Sequence, residues 1–173
     1  LAAGDLLDLG KETAETKRLY GLDDPETAGY GTRCLLARRL VESGVRFVNV
    51  YFSDSIGGQS TERGGWDTHG HNFKLLRAKL PIYDQGVFAL LSDLHARGLD
   101  QDVAVVIWGE FGRTPRIGDV TPDGRGHWPA AGCALVAGGG LRIGQIVGAT
   151  DRRAENPRGR PFTAQYVLAA LYH

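Results

Sequence analysis

Three stretches of the chain show the spacing of apolar residues that is typical of amphipathic helices. Residues 27–43 carry an apolar stripe and are followed by a glycine, a common helix end. Residues 73–97 repeat apolar residues near a period of 3.6, and Pro81 lies inside this pattern, so we expect a long helix that is kinked or broken there. Residues 163–173 predict a shorter helix with Thr163 as its N-cap.

Three other stretches have the composition of buried strands. Residues 45–52 and 103–108 are β-branched or aromatic and largely apolar on both faces, as in a covered parallel sheet, and residues 133–137 form a shorter run of this kind. The order of helices and strands predicts one α/β layered domain with a mostly parallel sheet. Ligands of such sheets lie beyond the carboxyl ends of the strands, which is where two of the polar clusters described below begin, whereas the third precedes its strand and would have to fold back over the same edge.

Composition narrows the classes of function. The chain has 173 residues, with 20 basic residues against 20 acidic ones, and it has no basic stripe, so we expect no nucleic-acid partner. No apolar run approaches the roughly 20 residues that span a bilayer. Cys34 and Cys133 lie far apart, so neither a zinc-thiolate site nor a disulfide framework is indicated, and we expect both to be small buried residues.

The segment from Gly65 to His71 places one carboxylate and two imidazoles within five residues. Asp67, His69 and His71 share a face if this segment is extended, whereas only Asp67 and His71 share a face on a helix. These side chains are suitable ligands for zinc, manganese and similar ions. The alternative is that Asp67 or Thr68 caps a helix and the histidines are solvated loop residues.

A second polar cluster follows the strand predicted at 103–108. Glu110 ends this strand, where a carboxylate is costly unless it is paired or bound to a metal. It could be a metal ligand or a general base, with Arg113 as a clamp for an anion. The alternative is a structural ion pair between Glu110 and Arg113 at the sheet edge.

A third cluster lies in a glycine-rich loop. His127 stands between Gly126 and Trp128, where the backbone can approach a ligand closely. It could bind a metal, or its ring could simply pack against Trp128. The neighbouring Arg125 could hold a phosphate or sulfate group.

These motifs, taken in order, resemble those of the bacterial family called domain of unknown function 1501. The resemblance covers nearly the whole chain and rests on residues 20–21, 34–48, 65–70, 109–115, 127–129 and 148–151. That family is similar to the alkaline phosphatase and sulfatase superfamily. The resemblance therefore implies a three-layer α/β sandwich of the alkaline phosphatase type and a metal-dependent site for phosphate or sulfate esters.

The resemblance also implies roles for individual residues. Asp67, with either His69 or His71, and His127 would bind a divalent ion, which could be zinc, manganese or calcium. Glu110 would be a further ligand or would orient one, and Arg113 and Arg125 would stabilise an anionic transition state. Phe111 stands where the superfamily has a histidine, which departs from the pattern of a second metal site.

The implied function is hydrolysis of a small-molecule or glycan phosphate or sulfate ester by an exported bacterial protein, either periplasmic or secreted. The superfamily places its nucleophile on an earlier βα unit, so we expect the chain to be the C-terminal part of a longer sulfatase-like domain, with the nucleophile upstream of Leu1. The alternative is a non-catalytic binding or structural member of the same fold that lacks a complete active site.

Overall fold

Five α-helices, two short 3-10 helices (Leu9–Lys11 and Leu99–Gln101) and four short strands make up the regular structure of residues 3–53 and 65–172, which are the residues that the computed structural model describes. The helices are α1 (Ala3–Leu7), α2 (Ala14–Leu19), α3 (Ala28–Glu42), α4 (Asn72–Ala96) and α5 (Ala164–Leu171). The strands are β1 (Ala104–Trp108), β2 (Gly112–Arg113), β3 (His127–Trp128) and β4 (Ala134–Gly138). The chain divides into two units, of which the first comprises 1–67 with 73–103 and the second comprises 68–72 with 104–173.

The core of the first unit is aromatic and aliphatic. Its buried members are Tyr20, Tyr30, Cys34, Leu35 and Ala89, so Cys34 is the small buried residue that we expected. Helix α3 supplies three of these side chains and α4 supplies Ala89. Of the apolar repeat predicted in α4, Tyr83, Val87 and Leu90 pack against this core, whereas Leu80 is exposed. Cys133, in contrast, is exposed, and its predicted burial is wrong.

Local sequence signals mark the end of α3 but do not interrupt α4. The glycine after α3, Gly44, has a φ of 94°, and Val45 donates to the carbonyl of Leu40 in the pattern of a Schellman cap. Helix α4 runs from Asn72 to Ala96 with Pro81 inside it, so the predicted break does not occur. Pro81 is exposed, and so is Arg77, whose carbonyl would accept from an N–H at position 81, so water can replace the missing hydrogen bond.

Residues 45–52 are not a strand, although their composition predicted one. The carbonyl oxygens of Tyr51 and Phe52 accept hydrogen bonds from the Arg33 guanidinium at 3.2 and 2.9 Å. Val50 and Phe52 pack against the core of the first unit. Val50 and Phe52 are thus half-buried, whereas Val45, Phe47 and Tyr51 are exposed, and among the described residues no strand pairs with this segment.

The sheets of the second unit overturn the predicted three-layer α/β sandwich with a mostly parallel sheet. Among the described residues, the strands form two separate antiparallel pairs, β1 with β4 and β2 with β3. Trp108 at the end of β1 lies opposite Ala134 at the start of β4, because the chain turns back through residues 109–133. A parallel pair would have needed a crossover connection to the other end of the sheet, which this return does not make.

Two further findings on the helices bear on the predictions. Helix α5 begins after Thr163 as expected, although the Thr163 side chain makes no capping hydrogen bond. Of the helices in the described ranges, none combines the length and apolar character needed to cross a membrane.

Candidate metal centre

The loop of residues 68–72, called the His69 loop, is fixed by hydrogen bonds at the end that leads into α4. The Thr68 hydroxyl is buried and donates to the Asn72 side-chain oxygen at 2.5 Å, where α4 begins. His71 has a φ of 51°, which turns the chain sharply between His69 and the helix. The His71 backbone N–H donates to Asp123 Oδ1 at 3.1 Å, and its Nδ1 lies 2.9 Å from Asp123 Oδ2.

His127 is held by a two-residue strand and by the residue before it. In the β2–β3 pair, His127 lies opposite Arg113 and Trp128 lies opposite Gly112. The N–H of Gly126 donates to Thr114 Oγ1 at 3.0 Å, and it also lies 3.1 Å from Asp119 Oδ1. These contacts fix the backbone from which the His127 ring projects.

The rings of His69 and His127 meet at their Nε2 atoms, which lie 3.1 Å apart. The ring centroids are 4.7 Å apart, and the centroid of the Phe111 ring lies 4.4 Å from that of His127. Asp67 directly precedes the loop of the second unit that carries His69. One carboxylate oxygen of Asp67 and one ring nitrogen from each histidine all lie within 4.8 Å of one another.

These distances suit a single divalent ion. Two nitrogens that each lie about 2.0–2.1 Å from a tetrahedral zinc ion are about 3.3 Å apart, close to the separation of the two Nε2 atoms. The donor set of two imidazoles and one carboxylate is also one that zinc sites use. A direct hydrogen bond between the rings, with one neutral imidazole donating to the other, is compatible with the same distance.

Two residues that the sequence suggested as metal ligands lie outside this group. The His71 ring is exposed and is directed to Asp123, so among the described residues it does not join His69 and His127. Glu110 follows β1 as predicted and is exposed, but it is not part of the group either. Their roles as ligands therefore stay predictions, and the described geometry favours His69 over His71.

The two arginines that were expected to bind an anion make hydrogen bonds to main-chain carbonyls. Arg125 donates from Nε to the carbonyl of Thr114 at 2.6 Å and from a terminal nitrogen to that of Arg113 at 3.3 Å. Arg113 donates in return to the carbonyl of Arg125 at 3.3 Å. These reciprocal bonds tie together the segments that lead into β2 and β3. Trp128, whose Nε1 donates to the Glu155 carbonyl at 2.7 Å, is engaged elsewhere.

The loop from Gly118 to Gly126 contributes contacts that the three polar clusters of the sequence did not indicate. Thr121-Pro122-Asp123-Gly124 forms a turn in which Gly124 N–H donates to the Thr121 carbonyl at 2.9 Å. A Pro-Asp-Gly run between two polar clusters is a turn signal that could have marked this loop in advance.

Two carboxylates of this loop are stabilised in their ionised form. The hydrogen bond from Thr114 is the main cause that lowers the pKa of Asp119 below its usual value, and the N–H of Gly126 adds to it. The backbone N–H and then the ring of His71 lower the pKa of Asp123. Both side chains therefore act as hydrogen-bond acceptors at neutral pH, which suits a role in holding the loop.

Comparison with known proteins places the chain at the level of a family. No curated protein and no solved structure matches it significantly. A family model matches residues 1–173, which is the whole chain. The chain belongs to the family described as "Protein of unknown function (DUF1501)".

Proposed function

We propose that the chain binds one divalent metal ion through Asp67, His69 and His127, and that this site hydrolyses phosphate or sulfate esters. The observation that carries the proposal is the convergence of two ring nitrogens and a carboxylate oxygen within 4.8 Å. His69 and His127 are 58 residues apart in sequence, so their contact is a product of the fold. The resemblance to the alkaline phosphatase and sulfatase superfamily, with its metal-dependent ester sites, supports the same chemistry.

The set of donor atoms also narrows the identity of the metal ion. Calcium takes six to eight oxygen ligands, whereas two of the three donors here are imidazole nitrogens. Imidazole suits zinc and other first-row transition metals, and a carboxylate suits manganese as well. We therefore favour zinc or manganese over calcium.

Three protein ligands leave at least one coordination position open, which is the pattern of catalytic sites. A divalent ion held there would act as a Lewis acid on an ester oxygen. His127 is exposed, so a substrate could reach the site from solvent. In this proposal, Asp67 and the two histidines hold the ion, Glu110 is the candidate general base, and the charges of Arg113 and Arg125 favour an anionic substrate.

A second candidate function is metal binding without catalysis. Phe111 packs on His127 at the position where the superfamily has a further histidine. Arg113 and Arg125 both use guanidinium N–H groups on main-chain carbonyls, which leaves fewer of their donors for a substrate. These two observations favour a binding or structural module, and an activity assay on metal-loaded protein separates the two candidates.

The test of the metal site is stripping by a chelator, reloading with zinc or manganese, and metal analysis by mass spectrometry. The native protein should bind about one ion, and His69→Ala and His127→Ala should each lower the affinity more than about 100-fold, because even changes outside the ligand shell cost about 10- to 100-fold. His71→Ala is the matched control, since its ring is directed to Asp123, and it should keep the native affinity.

Two results would contradict the proposal. A native protein that binds neither metal would rule out the site, and a His69→Ala variant with unchanged affinity would rule out these ligands. Aryl phosphates and aryl sulfates should then be tested with the metal-loaded native protein. Turnover that is lost in His127→Ala supports hydrolysis, whereas firm metal binding with no turnover supports the non-catalytic candidate.

A further inference from the structure

We infer that the turn from Thr121 to Gly124, called the 121–124 turn below, sets the position of His69 against His127. Thr121 and Gly124 are positioning residues in this inference, because both act on the backbone carbonyl of His69 and not on its ring nitrogens. Its relevance to a metal rests on the proposed function. Its structural part, the placement of one ring against the other, can be tested without any metal.

The 121–124 turn binds the His69 loop at several successive residues. The Thr121 hydroxyl donates to the carbonyl of His69 at 2.8 Å. The side chain of Asp123 accepts from the His71 backbone N–H, and its carbonyl accepts from the N–H of Asn72 at 3.1 Å. The backbone of residues 69–72 is therefore fixed along its length by a turn that lies about 50 residues later in the chain.

Gly124 allows this close approach. It is buried, and a Cβ atom built at this position would overlap the carbonyl oxygen of His69 and the hydroxyl of Thr121. The φ of Gly124 lies outside the left-handed region, so an alanine could adopt the same backbone conformation. The glycine is thus required for space, and its replacement by alanine acts as a pure steric wedge between the turn and the His69 loop.

The loop from Gly118 to Gly126, which contains the 121–124 turn, also fixes His127 at its C-terminal end. Only two residues separate Gly124 from His127, and the N–H of the second, Gly126, is bound by Thr114 and Asp119. The loop from Gly118 to Gly126 thus contacts the backbone of His69 and leads directly into His127. A shift of the 121–124 turn away from His69 must therefore change the 3.1 Å separation of the two Nε2 atoms.

The first test measures ring proximity in metal-free protein by NMR. The chain has only five histidines, so the ring signals can be assigned by single substitutions. The native protein should show a nuclear Overhauser effect between the rings of His69 and His127, and Gly124→Ala should abolish it. Gly132→Ala is the matched control, because a Cβ there meets nothing closer than 3.7 Å, and it should keep the effect.

The second test separates positioning from general stability. Thr121→Val removes the hydroxyl while it keeps the shape, and Thr121→Ser restores the hydroxyl. We expect the ring-to-ring signal to weaken in the valine variant and to return in the serine variant, while the amide signals of the β1–β4 pair stay unchanged in both. If Gly124→Ala unfolds the second unit, this pair of variants decides the matter alone.

Zinc titration then links the turn to the proposed site. Gly124→Ala and Thr121→Val should bind zinc at least about 10-fold more weakly than native protein, in the range of changes outside the ligand shell. A persistent ring-to-ring signal in both variants overturns the inference. A native protein that shows the ring contact but binds no metal would contradict the proposed function alone, and the positioning role would stand.

Discussion

Replacing Arg38 with glutamine should destabilise the first unit by about 3 kcal/mol, because Arg38 is the buried centre of an ion-pair network. Its side chain is 2% exposed. It lies 2.8 Å from a carboxylate oxygen of Glu12, 2.7 Å from one of Glu42 and 2.9 Å from one of Asp93. The substitution removes the charge that all of these carboxylates share.

The size of the effect follows from which partners remain. Breaking a buried ion pair on one side costs about 3–5 kcal/mol, since the other charge stays buried. Here Glu12 keeps Arg39, and Asp93 keeps Arg97 at 2.7 Å. The hydroxyl of Tyr20 also donates to Asp93 at 3.0 Å, and Glu42, whose side chain is 41% exposed, keeps Arg97 at 3.1 Å. Because these partners remain, we expect the loss in the free energy of unfolding to lie at the lower end of the range of about 3–5 kcal/mol.

The assay must report the first unit by itself, because the chain has two units. Hydrogen exchange of the α3 amides across a urea series, read by mass spectrometry, meets this need. Arg46→Gln is the matched control, since Arg46 is exposed, and it should change the free energy of unfolding by no more than about 0.5 kcal/mol. A loss below about 1 kcal/mol for Arg38→Gln, the value of an exposed pair, would refute the reasoning.

Two further predictions concern the same unit and the same assay. Gly86→Ala should cost about 1–3 kcal/mol, because its methyl group would overlap the buried ring of Tyr30, whereas Gly29→Ala, with open space around it, should be neutral or stabilising by less than about 1 kcal/mol; equal effects would contradict this. Burial opposes ionisation of Glu12, but its two arginine partners outweigh burial and lower its pKa below the usual 4.5. Its stabilising contribution is therefore present above about pH 4.5 and is lost as the pH falls through the lower folded value. Glu12→Gln should weaken the acid dependence of the urea midpoint, and an unchanged dependence would refute the assignment.

Helices were the part of the fold that could be predicted from local pattern. The apolar period of residues 73–97 and the glycine after residue 43 marked α4 and the end of α3 to within a residue. Helical hydrogen bonds close within the same segment, so the local sequence carries most of the required information. Of the kink or break predicted at Pro81, the break does not occur, because an exposed position tolerates the loss of one hydrogen bond within a long helix.

Strands were predicted less well, because a strand is defined by its partner. Residues 45–52 and 104–108 have similar composition, yet within residues 3–53 and 65–172 only the second segment pairs, with β4. The first segment has its last two carbonyls bound by Arg33. Composition also could not decide between parallel and antiparallel pairing, and the assumption of a parallel sheet led to the wrong sandwich.

The sequence by itself determined which side chains were available for chemistry, since Asp67, His69 and His127 stand in short polar clusters that local pattern marks clearly. Only the tertiary structure decided that His69 faces His127 while His71 turns to Asp123. The reason is geometric. Neighbouring side chains in a loop can point in any direction, and their choice is made here by contacts with a turn that lies some 50 residues away in the chain.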